Sequence, residues 1–227
     1  MKLDLHHLIE RGLNWDDQIP DDLRQIWENH FQMMEEYQQY QRAIVPSDAV
    51  NLDIQTLDFG DASKHMICVV IYARFLRVTG SYSCQLVFAR SRLVPDDMTL
   101  PRAELFAATL NAHTGEVVKR SFKDHHKSAL KLSDSQIALF WINDQNKRLK
   151  PYVRNRVVEI RRFTNPENWN FIPGDQMIAD LSTRKGVTIE EVNKDSTWFN
   201  GYPWMQKDIS EFPIKSIEEV KLCVGIR

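Results

Sequence analysis

Apolar positions in the first 43 residues recur at helical spacing. In "LDLHHLIERGL" they fall at Leu3, Leu5, Leu8, Ile9 and Leu13, with Gly12 as the expected stop. In "IPDDLRQIWENHFQMMEEYQQYQRAI" a proline and two aspartates give a helix start, and Leu23, Ile26, Trp27, Phe31, Met34 and Tyr37 form one stripe expected to pack as core. After "VPSDA" the period becomes extended. "NLDIQTLDFGDAS", "HMICVVIYARFL" and "YSCQLVFARSRL" predict three consecutive strands forming an antiparallel meander, with "RVTGS" as the turn between the second and third. "VPDDMTLPRAELFAATLNAHTGEVV" then turns helical, with Pro101 near its first position. "SALKLSDSQIALFWIND" reads as a short strand, a Ser-Asp-Ser start and an apolar helix. "YVRNRVVEIRRF" predicts another helix, "NWNFIPG" a short strand, and "DQMIADLSTRKG" a final helix. The order βββ-α-β-α-α-β-α predicts an α/β fold, a mixed five-stranded sheet flanked by helices.

Composition narrows this only a little. At 227 residues and 43% apolar, the chain is long enough for one good-sized core. The longest apolar runs, such as "MICVVIYA", fall far short of the roughly 18 to 20 residues needed to span a bilayer. The N-terminus "MKLDLHHLIERGLNW" is acidic and helical in pattern rather than a signal peptide. Cys68, Cys84 and Cys223 are odd in number and lack a CxxC spacing, so neither a disulfide framework nor a zinc site is indicated. The expected location is intracellular, cytoplasmic or nuclear.

Charge is unevenly distributed. The first 48 residues hold four Lys/Arg against ten Asp/Glu, and the remainder is net positive, within an overall formal charge of −2. "NKRLKPYVRNRVVEIRR" is the densest basic run, with Lys147, Arg148, Lys150, Arg154, Arg156, Arg161 and Arg162 against Glu159. Such a run is either a solvated helix face or a track for a polyanion. Arg102, Arg90 and Arg92 are further candidates for phosphate contacts.

Four carboxylates fall at special places in this layout. Asp61 lies near the end of the first strand, Glu104 in the first turn of the helix after the third, Asp134 at the junction of the fourth strand with its helix, and Asp180 early in the last predicted helix. Each has a bland explanation as a cap, a turn residue or a complement to a helix dipole. Asp58 competes with Asp61, because side chains three apart on a strand point to opposite faces and only one can join a cluster. The other would be on the surface or satisfied by hydrogen bonds.

Taken together, "LDFGDAS", "LPRAELFAA", "LSDSQIALFWI" and "MIADLSTRKG" resemble, in order and approximate spacing, the ribonuclease H domain of BEL/Pao-type LTR retrotransposons. The family's four acids fall on Asp61, Glu104, Asp134 and Asp180. "RGLNWDDQIPDDLRQIWENHF" resembles the connector that follows the polymerase in these elements, and "STWFNGYPWM" the tryptophan-rich segment after the domain. The resemblance implies a helical connector over 1–48, a ribonuclease H-like domain over 49–186 and a Trp-rich extension over 187–227. It implies two Mg²⁺ ions, or Mn²⁺, held by the four acids. Asp61 and Asp134 would contact the metals most directly, Glu104 would hold the second ion and read the nearby ribose, and Asp180 would complete the first site. The implied activity is endonucleolytic cleavage of the RNA strand of RNA/DNA hybrids, with 5′-phosphate and 3′-hydroxyl products. The basic run over Lys147, Arg148, Lys150, Arg154 and Arg156, with Arg102, would contact the nucleic acid, and a reverse transcriptase domain is the natural partner. The chain departs from related enzymes in "FIPGDQMIAD", which has no histidine before the final aspartate and carries Asp175 there instead. His125 and His126, like His6 and His7, read as structural or exposed. Two rival readings remain open: a non-catalytic module that binds nucleic acid or a partner, and a nuclease of the same fold acting on DNA duplexes or junctions.

Overall fold

The computed structural model describes residues 2–35, 44–144, 149–184, 187–188, 190–193 and 195–223. The chain divides into two compact units, Met1–Arg42 and Ala43–Arg227.

The first unit holds helices α1 (Lys2–Glu10) and α2 (Asp21–Glu35). Arg11 pairs with Asp22 at 2.8 Å, and His30 Nε2 lies 3.0 Å from Asp4 Oδ2. The stripe expected as core is not fully covered, since Ile26, Phe31 and Met34 are exposed, Phe31 by 53%. Two short helices offer too little partner surface to enclose so broad an apolar face. Tyr37 lies outside the described residues.

The second unit is built on a five-stranded sheet in the order β3-β2-β1-β4-β5, with β1 Ile54–Ala62, β2 Met66–Leu76, β3 Tyr82–Leu93, β4 His126–Ser133 and β5 Trp169–Phe171. The first three strands form the expected antiparallel meander, and β4 and β5 add in parallel beyond β1. Strands β1 and β2 are almost entirely buried, which is why "MICVVIYARFL" reads as a continuous apolar run.

Helix α3 (Leu100–Phe122) lies on one face of the sheet, its Ala103, Ala107 and Leu110 packed on Ile67, Val69 and Ile71. Its alanines let it come close. A Cβ placed on Gly60 of β1 would stand 3.2 Å from Asn111 Nδ2 and 3.4 Å from the Ala107 carbonyl oxygen. Helices α4 (Gln136–Asn143) and α5 (Pro151–Phe163) pack behind α3 through Leu105, Leu139, Ile142, Val157 and Ile160.

The other face is covered by the C-terminal third of the chain. Met177, Ile178, Trp198, Met205 and Phe212 share a core with Leu57, Phe59, Val70 and Tyr72. Polar ties fix this layer: Tyr72 donates to the Trp198 carbonyl at 2.6 Å, and the Trp204 indole donates to Gln176 Oε1 at 2.9 Å. Arg74, fully buried, donates to the Lys207 carbonyl and lies between the Tyr82 and Phe212 rings at 3.9 and 4.8 Å. Beyond α6 (Thr197–Asn200), Lys215 bridges Phe171 of β5 in antiparallel fashion, leading into α7 (Ile217–Cys223).

The last predicted helix is not an α-helix. Residues Gly174–Gln176 and Ile178–Ser182 form short 3₁₀ turns instead. Met177 takes an extended backbone between the two turns (φ −83°, ψ 90°), which breaks a continuous helix and buries Met177, Ile178 and Ala179 against the sheet. Among the described residues, no helix is long and apolar enough to cross a membrane.

Candidate metal centre

Three of the four predicted acids converge at one end of the sheet. Asp61 comes from the penultimate position of central strand β1, Asp134 from the residue just after β4, and Glu104 from α3, whose N-terminal part lies beside the end of β1. Each offers a carboxylate oxygen, and the three oxygens lie within 4.8 Å of one another. Glu104 is the fifth residue of α3, not in its first turn, so its half-buried side chain faces the cluster rather than serving the helix start. Asp134 is not the cap of α4. Ser135 takes that role, its hydroxyl accepting from the Ala138 amide at 3.4 Å, which frees the Asp134 carboxylate.

Asp180 is exposed and lies outside the group of three, but close enough for its charge to act on Asp61 and Asp134. The segment that carries it passes beside Asp134: a Cβ on Gly174 would stand 3.4 Å from Asp134 Oδ2. Asp180 also borders an open cleft of about 650 Å³ whose lining includes Asp175, Glu190, Glu191 and Asp195.

Burial first, and mutual repulsion second, raise the acids at this end of the sheet. Burial, with Asp134 and Asp180 adding to it against a hydrogen bond from Thr183, pushes Asp61 up to about 6. Burial, reinforced by Asp61 and Asp134, pushes Glu104 up to about 9. Burial also raises Asp134. Like-charged carboxylates held together take up protons unless a cation neutralises them. Glu104 Oε2 and Asp134 Oδ1 are buried and have no hydrogen-bond partner among the described residues. An all-oxygen carboxylate set with unpartnered atoms fits a hard divalent cation.

Asp58 is the rival that resolves differently. It points to the opposite face of β1, where Lys131 Nζ meets its Oδ2 at 2.5 Å and Asn111 Nδ2 donates to its carbonyl at 2.8 Å. Of its two expected alternatives, a surface position is ruled out by its burial, and its carboxylate is hydrogen-bonded at Oδ2 while Oδ1 has no partner among the described residues.

The predicted basic track is scattered. Lys147 and Arg148 lie outside the described residues, while Lys150 and Arg154 are exposed at the start of α5. Arg102 lies over the Tyr152 ring at 5.2 Å, and Arg156 lies 5.7 Å from the same ring while pairing with Glu159 at 2.6 Å. Arg156 also joins Arg90 and Arg92 around an open trough of about 560 Å³ on the outer side of α3. The arginines of β3 reach it because positions 88, 90 and 92 share the face of Ile71, Val69 and Ile67, at the sheet's edge beyond the cover of α3. Arg161 is spent on structure, donating to the carbonyls of Ile142 and Asp144 at the end of α4.

One residue at the site was not anticipated from the sequence. Thr183, buried, donates its hydroxyl to Asp61 Oδ2 at 2.6 Å. Its signal in the sequence was its place as the Ser/Thr three residues after Asp180 in "ADLSTR", to which no role was assigned.

The family model described as "Pao retrotransposon-like RNaseH-like domain" matches residues 1–135, more than half of the chain. The chain belongs to this family. The match includes the connector-like helices and three of the four acids, Asp61, Glu104 and Asp134. No curated protein matches the sequence. Among solved structures, the Pao-type chain is similar to ribonuclease H1 from the halophilic archaeon Halobacterium salinarum NRC-1, at 13% identity and a TM-score of 0.36, over 56% of this chain and 90% of that one. It is also similar to the N-terminal RNase H domain of rv2228c from Mycobacterium tuberculosis, solved as a fusion with maltose-binding protein, at 12% identity and a TM-score of 0.37, over 55% of this chain and 86% of that one. The Pao-type domain thus carries the ribonuclease H-like mixed sheet that its sequence led one to expect.

Proposed function

We propose that this Pao-type domain is a divalent-metal-dependent endoribonuclease that cuts the RNA strand of RNA/DNA hybrids, leaving 5′-phosphate and 3′-hydroxyl ends. The observation that carries the reading is the group Asp61, Glu104 and Asp134, with oxygens within 4.8 Å of one another and two buried oxygens unpartnered. Asp61 and Asp134 would be the main ligands of two Mg²⁺ or Mn²⁺ ions. Glu104 would serve the second ion and the adjacent ribose, and Asp180, exposed at the cluster's margin, would complete the first. When bound, the ions supply an activated water and neutralise charge on the scissile phosphate and leaving oxygen.

The chain's own residues do the rest. Asp61 and Asp134, anchored on adjacent parallel strands, fix the spacing of the site. Glu104, half-buried on α3, brings its carboxylate to the cluster from the helix side. Arg102, Lys150, Arg154 and Arg156, with Lys147 and Arg148, contact phosphates rather than bases, so sequence preference is low. Selection of the hybrid depends on 2′-hydroxyls of one strand and the shape of the duplex. The family supports a place in a retroelement polyprotein inside the cell, where a reverse transcriptase domain produces the hybrid.

The test is a comparison of end-labelled RNA/DNA hybrid, RNA duplex and DNA duplex of one sequence, each with Mg²⁺. Cleavage confined to the RNA strand of the hybrid is expected. An intact hybrid, or equal cutting of the DNA duplex, would overturn the assignment.

A further inference from the structure

Thr183 links the end of β1, which carries Asp61, to the segment that carries Asp180. Its hydroxyl lies 2.6 Å from Asp61 Oδ2 and 3.2 Å from the Asp180 carbonyl oxygen. Its amide also donates to that carbonyl, at 3.0 Å. A hydroxyl has one hydrogen, and the shorter contact, to a carboxylate that only accepts when ionised, takes it. Thr183 is 4% exposed, so water does not compete for the bond.

Two consequences follow from this geometry. The Asp61 carboxylate has Oδ2 held by Thr183, which restricts its rotation. The 3₁₀ segment Ile178–Ser182, which has few internal hydrogen bonds of its own, is tied to the end of β1 just beyond Asp180. We infer that Thr183 is a positioning residue of the metal centre, setting the orientation of Asp61 and its spacing from Asp180, and this rests on the metal-site reading above. A hydrogen bond that orients a ligating carboxylate is worth about 10- to 100-fold in metal affinity.

The test uses the full chain and three variants, Thr183→Val, Thr183→Ala and Thr183→Ser, with Asp134→Asn as the reference for loss of the site. Mn²⁺ affinity is measured by isothermal titration without nucleic acid, thermal melting of the metal-free proteins checks the fold, and cleavage of a hybrid gives kcat and KM. Thr183→Val and Thr183→Ala are expected to melt cooperatively, to bind Mn²⁺ about 10-fold or more weakly, and to lose kcat while KM is kept. Thr183→Ser is expected to stay within about 3-fold of the parent in Mn²⁺ affinity. Should Thr183→Val and Thr183→Ala fail to fold, a loss of Mn²⁺ affinity in folded Thr183→Ser as large as that of Asp134→Asn overturns the inference, and retention supports it. Parent-like Mn²⁺ affinity in folded Thr183→Val or Thr183→Ala also overturns it, while weakening by Asp134→Asn leaves the metal site standing. A parent chain that binds Mn²⁺ but cuts no hybrid defeats the proposed activity alone. One that binds no Mn²⁺ defeats both.

Discussion

Lys131 of β4 donates to Asp58 of β1 at 2.5 Å, and neither side chain is more than 4% exposed. Asn111 of α3 closes the group, its Oδ1 accepting from Lys131 at 3.0 Å and its Nδ2 donating to the Asp58 carbonyl at 2.8 Å. This network knits the two central strands to the helix that carries Glu104, three residues from Asp61 but on the opposite face.

Removing one partner of such a pair leaves an uncompensated buried charge. Lys131→Met is therefore expected to destabilise the protein by about 3–5 kcal/mol. Equilibrium denaturation by urea measures it. A loss below about 1 kcal/mol would mean that Asp58 finds another way to be satisfied.

The same network explains Gly115 of α3. A Cβ there would stand 2.0 Å from Lys131 Nζ and 2.6 Å from Asp58 Oδ2. Although alanine favours helices, Gly115→Ala is expected to destabilise by about 1–3 kcal/mol, the usual cost of overpacking. A rise in melting temperature would show that the ion pair can move aside.

The metal-free site should make stability fall with rising pH. Asp61 titrates near 6 and Glu104 near 9 in the folded chain, both above their ordinary values, so the folded state holds protons that the unfolded state has released. Unfolding free energy should decline from about pH 4 through about pH 9 in the presence of EDTA. Glu104→Gln cannot ionise, and should be the more stable protein at pH 8 without metal. Equal pH slopes for parent and Glu104→Gln would contradict the shift.

A chain ended at residue 186 should lose cooperative folding. Trp198, Met205 and Phe212 form part of the core on one face of β1 and β2, and Arg74 would lose its Lys207 and Phe212 partners and remain buried or exposed without them. Loss of near-ultraviolet circular dichroism and of a sharp melt is the expected result. A truncated protein that melts sharply would show that the C-terminal layer is dispensable.

Much of the fold was legible because its periods are clean. The meander β1 to β3, α3 and α5 follow from extended or helical spacing, and the strand geometry separated Asp58 from Asp61 before any contact was known. Two features were not. The segment around Asp180 reads as a helix by composition, but Met177 takes an extended backbone between two 3₁₀ turns and so interrupts it. The α2 stripe reads as core, yet periodicity carries no information on whether a partner covers it, and Phe31 stays exposed. At the site, an ordered set of acids could be read from sequence, whereas Thr183 could not, because its role depends on a contact across 122 positions of the chain.

The most direct measurement is cleavage of a labelled RNA/DNA hybrid by the parent protein and by Asp134→Asn, in Mg²⁺ and in EDTA. The account predicts cutting of the RNA strand by the parent in Mg²⁺ alone and a loss of about 100-fold or more in Asp134→Asn. Equal cutting by parent and variant, or cutting that persists in EDTA, would contradict it.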